Sequence, residues 1–294
     1  MSKRRRNPRP GDAVPKRPKP RDVFVPRPFA GLADEPEWIA LRELVPAATA
    51  PLTLTPELVE RYGDRPVTLA TVLPMAWPAM TKPDGRIFLG LQRQVQSGDV
   101  SRDLSVALLA ALEAVPGGPV SVPAVPDAGP RLQDVLVNRT LDVTLHDGFG
   151  FWLDDDAGDD PDVKASLERA NASVYPTVRL GAARAAYWCR VPDKAHVRWV
   201  LPDDEDVALD ALARLGGAGE LPLGDGTRFA GMFRAHGLLV PVWDLAREPE
   251  AGEWEAPLAD FVKRYADALG ADGPLDTAQR RSRQGLLGRQ LTLR

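Results

Sequence analysis

A helix, three short strands, a second helix and a further strand can be read twice along this chain. That double reading constrains the fold more than any single motif does. In the first pass, "DEPEWIALRELVPA" places Trp38, Leu41, Leu44 and Val45 at helical spacing, and Pro46 stops the helix. Strand-like runs follow at 51–55, 67–74 and 86–92, with the turn sequence "KPDGR" before the last. "GDVSRDLSVALLAALEAVPGG" is the clearest helix. Asp99 or Ser101 caps it, Leu104, Leu108, Leu112 and Val115 line one face, and Pro-Gly-Gly ends it. "LDVTLHDGFGFWLD" then returns to strand.

The second pass has a helix at 165–173, strands at 176–181, 185–192 and 195–202, and a helix in "DDEDVALDALARLGG". It closes on "GMFRAHGLLVPVWDL" as a strand or hairpin. The expected fold is α+β: two similar α-β-β-β-α-β units, 29–155 and 165–248, with mainly antiparallel sheets related by an internal duplication. An acidic linker (156–164) joins them. An amphipathic helix within 249–272 is expected to brace the pair, and a basic tail (273–294) ends the chain.

Charge is strongly segregated. The net charge of −4 comprises +8 on residues 1–27, +4 on residues 274–294 and −16 on the body between them. Residues 1–28 contain seven prolines and few large apolar groups, which predicts a disordered, polyproline-like leader. Such a leader suits either a solubilising role or weak nucleic-acid or ribosome contact, whereas the acidic body repels nucleic acid and anionic membranes. No run approaches the roughly 18 apolar residues of a membrane span, and no apolar signal core is seen, so a cytoplasmic address is expected. The single cysteine, Cys189, excludes an internal disulfide and reads as a buried, inert thiol.

Candidate chemistry is sparse. His146 in "TLHDGFGFWLD" and His236 in "FRAHGLLVPVWDL" occupy similar surroundings, each followed by apolar residues, a Trp and an Asp. Three histidines far apart in sequence do not make a zinc site, so no metal is expected. Matched histidines in a duplicated fold read as inherited strand residues. A small-molecule enzyme using either one is the alternative. The run Asp154–Asp162 resembles a calcium loop, but the required Gly and Glu positions hold Asp159 and Ala165. No phosphate-binding loop or nucleophile elbow is present, and no cofactor is expected. "LPMAWPAM" forms an apolar, non-helical knot. Met75, Trp77 and Met80 suit peptide recognition, and equally a loop closing over the core.

The phrases "RPFAGLADEPEWIALRELVPAATAPLTL", "VTLATVLPMAWPAM", "SGDVSRDLSVALLAALEA" and "RQLTLR" resemble a family of uncharacterised actinobacterial proteins, a domain of unknown function. The resemblance spans nearly the whole chain after the leader. Members sometimes carry labels naming a preprotein translocase ATPase, but this chain lacks the Walker motifs such an enzyme needs. The resemblance implies lineage and a cytoplasmic address, and brings no catalytic residues. The expected function is therefore non-enzymatic: binding a protein partner through Met75, Trp77, Met80, His146 or His236, in an adaptor or chaperone-like role. The alternatives are nucleic-acid or ribosome association through residues 1–28, and catalysis at His146 or His236.

Overall fold

Strand formation follows the β-branched and aromatic runs, and helices follow the Leu/Ala-rich ones. The computed structural model describes residues 22–126, 128–153 and 160–288. Most of the basic leader, the core of the acidic run (154–159) and residues 289–294, with Leu291 and Leu293, lie outside the described residues. The described chain is an α+β fold with eight α-helices and two mostly antiparallel sheets of six and five strands, and it ends in a helix. No helix among the described residues is long and apolar enough to cross a membrane.

The first layer contains α1 (Glu35–Glu43), β1 (Ala48–Leu52), α2 (Pro56–Tyr62), β2 (Val67–Val72), β3 (Ala79–Thr81), β4 (Ile87–Gln92), α3 (Val100–Glu113), β5 (Gly118–Val120), α4 (Leu132–Val135) and β6 (Thr144–Leu145). Its strand order is β5-β3-β4-β2-β1-β6. Residues 82–86 turn β3 back onto β4, with Gly85 at φ 89°. Ile87, Leu89 and Leu91 of β4 face the main core, while Phe88 faces the other side. Asp99 caps α3 by accepting from the Arg102 amide at 3.3 Å. Leu104, Leu108 and Leu112 are buried as expected, but Val115 lies past the helix end and is 87% exposed.

The second layer contains α5 (Pro161–Asn171), β7 (Thr177–Arg179), β8 (Ala186–Arg190), β9 (Ala195–Trp199), α6 (Glu205–Ala218), β10 (Arg228–Ala235), β11 (Leu238–Leu245), α7 (Glu255–Leu269) and α8 (Thr277–Gly288). Its strand order is β10-β11-β9-β8-β7, and every pair is antiparallel. One face carries Trp188, Val197, Met232 and Trp243 against α6 and α7. Tyr187, Phe233, Val240 and Val242 on the other face join the core of the first layer.

The two layers share neither full element order nor topology: α2 and α4 fall between strands of the first, and a hairpin followed by two helices closes the second. The first sheet has a parallel pair, β2–β4, at its centre, because the chain makes a turn and the short β3 before returning beside β2. The second sheet has no such pair. The likeness expected from a duplication is therefore confined to local sequence pattern. The bracing role also falls elsewhere. The buried residues of α7 all belong to the second core, whereas Trp38, Ile39 and Leu41 of α1 share one core with Tyr187, Phe233 and Val240. Burial of Glu37 and Ala40 together with Trp38, Ile39 and Leu41 leaves α1 with no solvent face over these positions.

Candidate functional site

A groove of about 400 Å³ opens on the first layer, lined by Met75–Pro78, Arg93–Val95, Ser121, Val122 and Ala124. Pro74 opens a single 3₁₀ turn that closes at Ala76, where two consecutive non-glycine residues take positive φ: Met75 at 54° and Ala76 at 49°. Left-handed backbone costs an L-residue roughly 1–2 kcal/mol. The turn is held by local bonds: the Ala76 amide donates to the Leu73 carbonyl at 2.9 Å, and the Gln94 side chain donates to the Met75 carbonyl at 2.8 Å. Gly90 of β4 lets the turn sit close, since a Cβ there would lie 2.5 Å from the Trp77 carbonyl. The result pushes Met75 outward, 74% exposed, opposite Val95 at 55%.

Arg93 ties the walls of this groove together. Its side chain, 5% exposed, donates to the carbonyls of Asp103 at 3.2 Å, Pro123 at 3.4 Å and Val95, and pairs with the Asp103 carboxylate. Burial pushes the Asp103 carboxyl up from its ordinary range, against the pull of the Ser97 hydrogen bonds and Arg93. Trp77 spans the groove and a small cluster beneath it, where Met80 packs with Leu73, Phe88 and Trp152. Of the three residues singled out in "LPMAWPAM", Met75 and Trp77 line the groove. Met80 supports the sheet face behind it, on the short strand β3.

The histidines do not converge. His146 follows β6, its Nε2 lies 2.8 Å from the Thr49 hydroxyl, and its ring packs on Phe151 at 4.8 Å. Burial pulls its pKa below the usual 6.5. His236 sits in the β10–β11 turn at φ 48°, with Nε2 2.8 Å from Glu43 Oε1 and 3.1 Å from Arg42 Nε. One histidine ends a strand edge and the other makes a turn, so they are not equivalent positions. No group of three metal-ligating side chains exists among the described residues.

Sequence reasoning missed a third place. A cleft of about 370 Å³ at the seam between the layers is lined by Glu43–Pro46 and Gln92 from one side and by Tyr175, Thr177, Cys189, Val191, His196 and Arg198 from the other. Thr177, Cys189, His196 and Asp244 are register partners across β7, β8, β9 and β11, and so form one row. His196 Nδ1 lies 3.1 Å from Asp244 Oδ1, and Arg198 Nη2 lies 2.8 Å from Cys189 Sγ. Burial, then Lys194, pull His196 below 6.5 against the attraction of Asp244. Burial pushes the Cys189 thiol up, outweighing Arg198. Period-two alternation puts His196 and Arg198 on one strand face; their pairing with a cysteine on the next strand needs register, which a local pattern does not carry.

These features define an α+β protein whose two sheets share a core, with an apolar groove on the first layer and a polar cleft at the seam. The chain belongs to a family of unknown function, DUF5926, whose model matches residues 28–294. Comparisons with curated proteins and with solved structures return no match.

Proposed function

We propose that this is a binding protein that takes an extended apolar segment of a protein partner into the groove beside Met75 and Trp77. The observation that carries the reading is the strained turn that holds a methionine 74% exposed above a concave apolar wall. Strain of this kind persists where the surroundings over-determine it, and it clusters at binding sites. Flexible Met and flat Trp side chains adapt to varied apolar partners. The β5 edge continues into Ser121 and Val122 of the groove wall, which suits an extended ligand. We place this activity in the cytoplasm, in keeping with a single, free, buried thiol.

The test is nuclear magnetic resonance of methyl-labelled methionine, with short peptides carrying alternate apolar side chains as probes. The Met75 methyl signal is expected to shift on titration, while that of Met232, 0% exposed, stays. Val95→Ser is expected to weaken the response. Peptides that leave Met75 unmoved, or bind the Val95→Ser protein equally well, defeat the reading.

A further inference from the structure

We propose that the groove beside Met75 and Trp77 is occupied in the free protein by the chain's own leader, through residues 14–20. Occupancy of this kind regulates the site described above, and it rests on the groove being a place where extended chain binds. The leader meets the body at a defined point. The Val25 amide donates to the Gly98 carbonyl at 2.8 Å, and the Gly98 amide donates to the Asp22 carboxylate at 2.6 Å. A Cβ at position 98 would lie 2.7 Å from the Val23 carbonyl oxygen and from the Phe24 Cα, so the crossing needs glycine. Arg27 then pairs with Glu35 of α1 and with Asp204 before α6, which ties the segment to both layers.

This anchor stands beside the groove. Val95, on the groove wall, precedes Gly98 by three residues on the loop between β4 and α3. Three residues span at most about 11 Å. Chain running back from Asp22 to Pro15 covers roughly 22 Å at about 3.1 Å per residue in a polyproline helix, enough to reach across the groove.

The chemistry of the two parts matches. Residues 14–20 read Val-Pro-Lys-Arg-Pro-Lys-Pro. With three residues per turn, a polyproline helix of this sequence sets Pro15 with Pro18 on one edge, Val14 with Pro20 on a second, and Lys16 with Lys19 on the third. The Pro-x-x-Pro spacing docks into aromatic-lined grooves, and its stiffness keeps the ordering cost low. Here Trp77 supplies the flat ring, Met75 and Val95 the exposed lips, and Pro78 and Val122 further apolar wall. A polyproline backbone makes no internal hydrogen bonds and leaves its carbonyls open. The Trp77 indole N–H has no acceptor among the described residues, so it is free to donate to one of them. No carboxylate lines the groove among the described residues, so recognition runs through the proline edges and not through charge.

The experiment compares the full chain with a full-length variant carrying Val14→Ser, Pro15→Ser, Pro18→Ser and Pro20→Ser, which keeps length and charge. Methionine methyl resonances report the groove at Met75 and the second core at Met232. The Met75 signal is expected to move in the variant while that of Met232 stays. A synthetic peptide of residues 12–21 is expected to return it, and salt at about 0.5 M to change little. Apolar probe peptides are expected to bind the variant on the order of tenfold more tightly, because a short tether supplies the leader at roughly millimolar effective concentration. A Met75 signal that is the same in both chains overturns the inference; if probe peptides still shift it, the groove reading survives. A difference that salt abolishes also overturns it, since charge alone then holds the leader. So does a difference that vanishes on dilution, because a second copy then supplies the leader. A difference that persists while no probe shifts Met75 in either chain supports leader occupancy and defeats only the reading of the groove as a site for an outside partner.

Discussion

The Tyr187 hydroxyl, on β8, donates to the carboxylate of Glu37, on α1, and both residues are 0% exposed. The contact spans 150 positions and couples the two layers at the centre of their shared core. Arg184 bonds to Asp34 and lies 3.6 Å from Glu37, so a buried anion has charged and neutral donors around it. Burial beside that anion raises the Tyr187 hydroxyl far above its ordinary 10, so it stays protonated and keeps donating. Tyr187→Phe is expected to cost about 1.5–3 kcal/mol, the range for a lost bond to a charged group. Urea unfolding measures it; a loss under about 0.5 kcal/mol means Glu37 is satisfied without the tyrosine.

Gly90→Ala is expected to dislodge the groove turn. The added Cβ meets the Trp77 carbonyl at 2.5 Å, a backbone atom that cannot rotate away. The expected loss is about 1–3 kcal/mol, with a moved Met75 methyl signal. An unchanged spectrum contradicts the close packing of turn on strand.

Ala76→Gly should act in the opposite direction. Ala76 sits at φ 49°, which glycine adopts without a steric penalty. A gain of about 0.5–1 kcal/mol is expected, with weaker peptide binding as the turn loses rigidity. A destabilised variant would show that the turn is not strained.

Acid sensitivity follows from Glu43. Burial alone would raise its carboxyl, but the contacts with His236 and Arg42 prevail and hold it below the ordinary 4.5. The unfolded chain therefore binds more protons between the folded value and 4.5, and stability there rises with pH. The contribution is present above 4.5 and is lost as pH falls through the folded value. Glu43→Gln should destabilise the protein at neutral pH and matter progressively less as pH falls through the folded value. A deficit that does not depend on pH would mean Glu43 acts only through shape.

The C-terminal helix tests apolar against ionic attachment. Leu286 of α8 is 3% exposed, while Arg283 reaches Asp210 at 2.7 Å and Asp206 at 3.0 Å at the surface. Leu286→Ala is expected to cost about 2–3 kcal/mol and to open α8 to proteolysis. Arg283→Ala is expected to cost less than about 1 kcal/mol, falling further with added salt. The reverse ranking would make the attachment electrostatic.

Much of the fold was legible locally. The apolar spacing around Leu104, Leu108 and Leu112, the Asp99 cap and the runs that became β2, β4, β8 and β9 announced their elements, because period and capping act within a few residues. The short β3 went unseen: three residues between two prolines and a turn carry too little pattern to read. "LPMAWPAM" left core and surface both open, and the structure divides it, with Met75 outside and Met80 packed behind.

Sequence alone marked the long amphipathic helices and most of the longer strands, though not α2, β3 or α4, and it fixed where charge gathers and that the chain has one cysteine. Tertiary structure decided that β2 and β4 lie parallel, that α1 joins the layers, and that Cys189, His196 and Asp244 share a row. The physical reason is range. Backbone propensity and side-chain period are set by near neighbours, whereas pairing, register and the environment of a buried charge depend on residues brought together only when the core closes.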